Sequence, residues 1–211
     1  MVDIAVIDYG MGNLRSVHNA LSTVAPEASI VVTDDPAIVA QAARVVFPGQ
    51  GAMPDCMREL DARNLRGAVV EAAHSKPFLG ICIGLQMLFD YSKEGDVACL
   101  GLLPGDVVRF SHNLHDAHGN RLKVPHMGWN QVHHTNHPMW KDIAQDERFY
   151  FVHSYYVKPD DATLVQAESN YPEPFVCAVS KGNLFAVQFH PEKSHTAGLQ
   201  LLKNFVNWIP V

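Results

Sequence analysis

Cysteine is scarce in this chain of 211 residues, and none of its four copies falls in a CxxC pair. Cys56, Cys82, Cys99 and Cys177 suggest no disulfide framework, which argues against a stapled secreted scaffold and fits a reduced, cytoplasmic compartment. Long apolar runs are missing too: none approaches the roughly 20 residues that cross a bilayer. The N-terminus, Met1-Val2-Asp3-Ile4-Ala5-Val6-Ile7-Asp8, has no basic region and no small-residue cleavage site, so it reads as a strand and not as a signal peptide. Charged residues make up only 18%, the net charge is −6, and no dense basic stretch occurs. That balance argues against nucleic acid as the main partner. There is no internal repeat, no low-complexity linker, no phosphate loop of Walker type and no eightfold βα pattern. Gly10-Met11-Gly12-Asn13 lacks the third glycine of a dinucleotide fingerprint and reads as a strand-to-helix turn with Asn13 as helix cap. What is abundant is hydrophobic residue, 47% of the chain, enough for a large core in one domain over residues 1–211.

The apolar pattern alternates between two periods through the first ninety residues. Val2–Ile7 reads as a strand, Leu14–Val24 as a helix, Ser29–Thr33 as a β-branched strand and Pro36–Ala43 as a short helix. Arg44–Phe47 reads as a buried strand, Leu65–His74 as a helix, Phe78–Ile81 as a strand and Leu85–Tyr91 as a helix. Such alternation predicts βαβ units, hence a parallel sheet with helices on both faces. Beyond about residue 96 the texture changes. Val107–Phe110, Phe149–Val157, Thr163–Ala167 and Phe175–Ser180 look like strands between polar turns. Lys181-Gly182-Asn183 predicts a hairpin turn into Leu184–Phe189, and Thr196–Trp208 an amphipathic closing helix. The expected fold is α/β: an open mixed sheet, mostly parallel, flanked by helices, with an antiparallel portion in the C-terminal half.

Three segments carry chemistry. In Phe78-Leu79-Gly80-Ile81-Cys82-Ile83-Gly84 an apolar run meets Gly-x-Cys-x-Gly and a helical pattern leaves it. This is the cysteine form of a nucleophile elbow, whose turn is so sharp that residues two before and two after the nucleophile must nearly touch. A helix start at Cys82 favours thiolate over thiol. In Ala186-Val187-Gln188-Phe189-His190-Pro191-Glu192 a strand ends in histidine, with a glutamate two residues on. On an extended chain those two side chains point the same way, so Glu192 can orient and charge-stabilise His190, leaving its other nitrogen for Cys82. In Phe47-Pro48-Gly49-Gln50-Gly51 a buried strand enters a loop whose backbone N–H groups at Gln50 and Gly51, with that of Ile83, can form an oxyanion hole. Each segment lies at the end of a strand, and in a parallel sheet such ends share the ligand-binding edge.

Together these motifs, in this order along the whole chain, resemble the class I (triad) glutamine amidotransferases, which have a flavodoxin-like fold. Further segments are similar to the glutaminase subunits of imidazole glycerol phosphate synthases: Asp8 to Ser16, Val124-Pro125-His126-Met127-Gly128-Trp129-Asn130, Tyr150 to Tyr155, and His190 to Ser194. One departure is Gln50, where the family usually has a small apolar residue. The resemblance implies a single glutamine amidotransferase domain that hydrolyses L-glutamine through a thioester on Cys82. His190 and Glu192 complete the triad, and no cofactor or metal is needed. It further implies glutamine binding by Gly49, Gly51, Gln86, His153, Ser154 and Tyr155. Ammonia passes to a partner cyclase, a HisF-type (β/α)8-barrel bound as a heterodimer through Asn13, Met127, Trp129, Asn130, Tyr150 and Lys193. That partner makes imidazole glycerol phosphate and aminoimidazole carboxamide ribotide in histidine biosynthesis.

Plainer readings stand beside these. A lone Gly-x-Cys-x-Gly can hold a structural cysteine, and a lone histidine more often packs than reacts. Cys56, Cys99 and Cys177 read as ordinary buried thiols. His112, His115 and His118, and likewise His133, His134 and His137, tempt a metal reading, but their polar surroundings favour solvated loops. Without the resemblance, His126 and Trp129 would read as core. Rival functions are another amidotransferase of the same class, a stand-alone cysteine hydrolase, and a non-catalytic binding module.

Overall fold

A computed structural model describes residues 2–111, 113–116 and 118–210. The parallel half is built from β1 (Ile4–Ile7), α1 (Leu14–Val24), β2 (Ile30–Thr33), α2 (Pro36–Gln41), β3 (Arg44–Gly49), α3 (Met53–Ala62), α4 (Arg66–Ser75) and β4 (Phe78–Cys82). A short helix α5 (Ile83–Gln86) follows, then β5 (Phe89–Ser92), β6 (Val97–Ala98), β7 (Leu103–Arg109), β8 (His126–His134) and β9 (Glu147–His153). The remaining elements are β10 (Tyr155–Pro159), β11 (Val165–Asn170), β12 (Pro174–Lys181), β13 (Leu184–Val187) and α6 (His195–Asn207). The sheet runs β2-β1-β3-β4-β13-β12-β10-β7-β5-β6, and a branch through β11, β8 and β9 leaves it at β12. The pairs from β2 to β13 are parallel; β13 turns back antiparallel onto β12 through Gly182-Asn183, where Gly182 takes φ 58°. This is the mixed α/β sheet expected.

The central strands are apolar without interruption because both of their faces are covered. Side chains alternate along each strand. Val6, Leu79, Ile81, Phe185 and Val187 enter the core under α1 and α6, while Ile7, Phe47, Phe78, Leu184 and Ala186 enter the core under α3 and α4. The helix starts follow local chemistry. Asn13 accepts the Ser16 N–H at 3.4 Å and Asp35 accepts the Ala37 N–H at 2.8 Å.

The largest difference from expectation follows the elbow. Leu85–Tyr91 is not a helix: α5 ends at Gln86 and the chain enters strand β5, which pairs parallel with β7. Met87, Leu88 and Phe89 are all fully buried, and a run buried on every side carries no helical period to read. Phe149–Val157 is likewise two strands, parted at Ser154, because β9 pairs with β8 and β10 with β7 and β12. Helix α3 and strand β8 lie where no element was expected. His133 and His134 accordingly sit on strand β8 and not in a loop; His134 stacks on Trp140 at 4.8 Å. His137 is half-buried against Phe185 at 5.0 Å, again not solvated. His112 lies outside the described residues. Among those described, no cluster of His, Cys, Asp and Glu could hold a metal ion.

Candidate active site

Cys82 ends β4 with φ 58° and ψ −115°, a backbone state that side chains other than glycine rarely adopt. Strain of this kind costs on the order of 1–3 kcal/mol and persists only where the surroundings enforce it. Here the two glycines allow the enforcement. A Cβ on Gly80 would stand 2.9 Å from the Ala186 Cβ and 3.2 Å from the Gly84 carbonyl oxygen, while one on Gly84 would overlap the Phe47 carbonyl of β3. The elbow is therefore pressed against its neighbouring strands as well as folded on itself. Because α5 is a single turn, its dipole at Cys82 is smaller than a long helix would supply.

Two parallel neighbours bring the other motifs to this edge. Strand β13 pairs with β4 at Val187↔Ile81, so the chain leaving β13 reaches His190 beside Cys82. Strand β3 pairs at Gly49↔Cys82 and delivers the loop 50–51 to the other side. Pro191–Lys193 forms a 3-10 turn, so Glu192 does not reach His190 along an extended chain as expected; the turn carries it there instead. Glu192 Oε1 lies 2.8 Å from His190 Nδ1, and both side chains are 2% exposed. The turn is fastened by Ser194, whose hydroxyl donates to the His190 carbonyl at 2.6 Å and accepts the Tyr150 N–H at 3.0 Å.

Burial opposes charge on His190. The negative charge of a Cys82 thiolate, then that of Glu192, outweighs it and raises the imidazole to about 10. The charged imidazolium is thus the favoured form of His190. His190 Nε2 is buried and makes no hydrogen bond of regular geometry, which leaves its proton available to a reacting atom. Gln188, fully buried, donates from Nε2 toward the Cys82 sulfur at 3.8 Å.

These residues open on a cavity of about 460 Å³. Its walls include Gln50, Gly51 and Ile83 on one side and His153, Ser154 and Tyr155 on the other, with Gln86 between. Gly51 has φ 122°, and the Gln50 carbonyl accepts from the Cys56 thiol at 3.6 Å. Gly49 is not on the cavity wall: a Cβ there would overlap the Tyr9 hydroxyl, so its glycine is demanded by packing. Both N–H bonds of the Gln86 amide are spent, one on the Tyr155 carbonyl at 2.9 Å and one on Gln188 Oε1 at 2.8 Å. Only its Oε1 remains for a ligand, and an oxygen acceptor suits an ammonium group.

Sequence reasoning missed Glu94, which lines the same cavity. Its Oε2 accepts the Met53 N–H at 3.0 Å at the start of α3. Burial raises its carboxyl, the Met53 N–H works the other way, and the charge of Asp55 adds to the rise. Nothing in the stretch Ser92-Lys93-Glu94-Gly95 marks it; only the fold carries this turn to the site. Gln188 was visible as the residue before Phe189-His190, but its side-chain direction was not.

Of the residues that the resemblance assigns to an interface, only Tyr150 and Lys193 line the cavity. Met127 is 61% and Trp129 42% exposed on β8. Trp129 stacks on His195 at 4.8 Å and meets Tyr150 edge-on at 6.0 Å. Asn13 is exposed at the α1 cap, and Asn130 is half-buried.

Comparisons with known proteins agree with this architecture. The family model described as glutamine amidotransferase class-I matches residues 5–208. Among solved structures, one titled glutamine amidotransferase superposes with TM-score 0.70 at 19% identity, covering 97% of each chain. A chain of PurLQS from Thermotoga maritima gives TM-score 0.69 at 20% identity, covering 98% of this chain and 99% of that one. At such identities the likeness speaks for the fold alone. Curated relatives are much nearer. The imidazole glycerol phosphate synthase subunit HisH of Thiobacillus denitrificans is 64% identical over 211 residues, 99% of this chain and 92% of that protein. The protein of the same name from Nitrosospira multiformis is 65% identical over the full length of both. Matched from end to end at this identity, the chain belongs to the class-I glutamine amidotransferases and, within them, to the HisH subunits of imidazole glycerol phosphate synthase.

Proposed function

We propose that this chain is a single glutaminase domain in which Cys82 attacks the γ-carbonyl of L-glutamine. The sulfur bonds to the carbonyl carbon, and the oxyanion is held by backbone N–H groups of Gln50 or Gly51 and of Ile83. His190 then passes its Nε2 proton to the departing nitrogen, so that ammonia leaves and a glutamyl thioester remains. Water attacks the thioester, His190 takes its proton, and glutamate departs with the thiolate restored. Glutamine and water enter; glutamate and ammonia leave. Glu192 keeps the imidazole oriented and charged between steps. The α-ammonium of glutamine faces Gln86 Oε1 and the Glu94 carboxylate, and backbone N–H groups of His153–Tyr155 receive the α-carboxylate. No cofactor takes part.

The observation that carries this reading is the buried His190–Glu192 pair at 2.8 Å beside a cysteine held at positive φ. The ammonia is delivered to a partner cyclase of (β/α)8-barrel fold, which docks as a heterodimer on the face bearing Asn13, Met127, Trp129 and Asn130, with Tyr150 and Lys193 at the cavity mouth. The complex works in the cytoplasm. Replacing Cys82 by alanine is expected to abolish glutamine hydrolysis while leaving ammonia-dependent synthesis by the complex intact. Retained hydrolysis in that variant would refute the assignment.

A further inference from the structure

A line of polar groups, its two imidazoles buried, runs from strand β8 to the cavity. Asn130 Nδ2 donates to the Asn170 carbonyl at 2.8 Å and lies 3.2 Å from His126 Nε2. His126 Nδ1 lies 2.9 Å from His153 Nε2, and His153 Nδ1 lies 2.9 Å from the Tyr155 carbonyl. Both imidazoles are nearly inaccessible, His126 at 4% and His153 at 6% exposed. Neither has a role in the chemistry above.

The two carbonyls at the ends can only accept, and they decide every proton between them. Tyr155 O requires a proton on His153 Nδ1. In the neutral ring Nε2 must then accept, so His126 carries its proton on Nδ1. His126 Nε2 must in turn accept, and the Asn130 amide, anchored nitrogen-first on Asn170, supplies the N–H. Both ring donors point the same way, toward Tyr155. A second proton on either ring would set two N–H groups against each other. Burial pushes both rings down, His126 to about 4 and His153 to about 3, although the hydrogen bond to Tyr155 works the other way on His153. The same Tyr155 carbonyl accepts from Gln86, whose other N–H goes to Gln188.

We propose that His126 and His153 are positioning residues that, as a pair of neutral Nδ1–H tautomers, hold the Tyr155 carbonyl where it fixes the Gln86 amide with its oxygen toward the ligand. The pair thereby sets affinity for the α-ammonium end of glutamine without touching it. The line also begins on the strand that carries Met127 and Trp129, so displacement of that strand reaches Gln86 through it. The kinetic consequence rests on the glutaminase function proposed above; the tautomers do not.

Two measurements test this. In the full chain labelled with 15N-histidine, both rings should be neutral Nδ1–H forms from pH 5.5 to 8, although a free histidine side chain prefers the other tautomer. An Nε2–H form or an imidazolium at either position overturns the proposal, whether or not the protein turns over glutamine. In the complex with its cyclase, H126L should raise KM for glutamine about tenfold, the worth of one hydrogen bond, with kcat within about threefold. H126N, whose amide nitrogen replaces Nδ1 as donor, should recover KM to within about threefold. Equal KM in the two variants overturns it. If H126L does not fold, H153L and H153N repeat the comparison, since only the latter keeps the donor to Tyr155. A parent complex that does not hydrolyse glutamine refutes the glutaminase function and leaves the spectrum to decide the tautomers.

Discussion

Adding one methyl group at Gly84 should disable this protein far more than its size suggests. The new Cβ would sit 3.1 Å from the Phe47 carbonyl carbon and overlap that carbonyl's oxygen. Both partners are backbone: one belongs to β3 in the middle of the sheet, the other to the turn that sets Cys82. No rotamer relieves the overlap, so the elbow must withdraw from β3 by on the order of 1 Å to reach ordinary contact distance. Overpacking of this kind costs about 1–3 kcal/mol, and the absence of any flexible side chain places it at the upper end. For a domain of this length that corresponds to a loss of roughly 6–12 °C in Tm. The catalytic cost is larger, because the retreat separates Cys82 from the loop 50–51 on the same strand. A misplacement of about 1 Å can lower turnover ~100-fold. G67A is the control. Gly67 lies in α4 with nothing within 4 Å of a new Cβ, and alanine there should stabilise the helix by up to about 1 kcal/mol with parent-like activity. Thermal melts and glutaminase kinetics of both variants decide the matter. A G84A protein with parent-like Tm and kcat would show that the elbow is not clamped against β3.

Two other tests concern charge. His190 is raised from its ordinary 6.5 to about 10, so its contribution to stability is fully present below pH ~6.5 and fades as pH rises through about 10. E192Q removes the buried charge at 2.8 Å and should destabilise by roughly 2 kcal/mol near pH 6, with the gap to the parent closing by pH ~10 and turnover falling ~100-fold or more. Urea titrations at the two pH values measure this, and a gap independent of pH would contradict it. Alkylation of the native protein by iodoacetamide at pH 7.5 should place a single adduct, on Cys82. Burial pushes the Cys56 thiol to about 12 and the Cys99 thiol to about 11, and pushes buried Cys177 well up as well. Peptide mass spectrometry that finds Cys56 or Cys99 modified before Cys82 would overturn that ordering.

Much of the fold was legible because the parallel strands are short, apolar and separated by helices of clear period. Where burial is complete on all sides, as at Met87–Phe89, no periodicity distinguishes helix from strand, and the extended state won through pairing with β7. Strand β8 escaped notice for the opposite reason. It carries few aliphatic residues and no clean alternation, and its partner β11 comes from farther along the chain.

By itself the sequence determined the residue types and local turns that the chemistry needs: glycines where Cys82 requires a sharp elbow, a histidine at a strand end with glutamate two residues on, and Gly-x-Gly after a buried strand. These are short-range demands of backbone sterics, and they can be read without neighbours. Only the tertiary structure decided which of them meet. Strand β13, from the far end of the chain, inserts beside β4 in parallel register and so sets His190 against Cys82. The 3-10 turn, and not an extended chain, brings Glu192 to His190. Glu94, Gln188 and the His126–His153 line take their places only when β5, β9 and β13 have found their partners, because hydrogen bonds between strands are specified by register and not by sequence proximity.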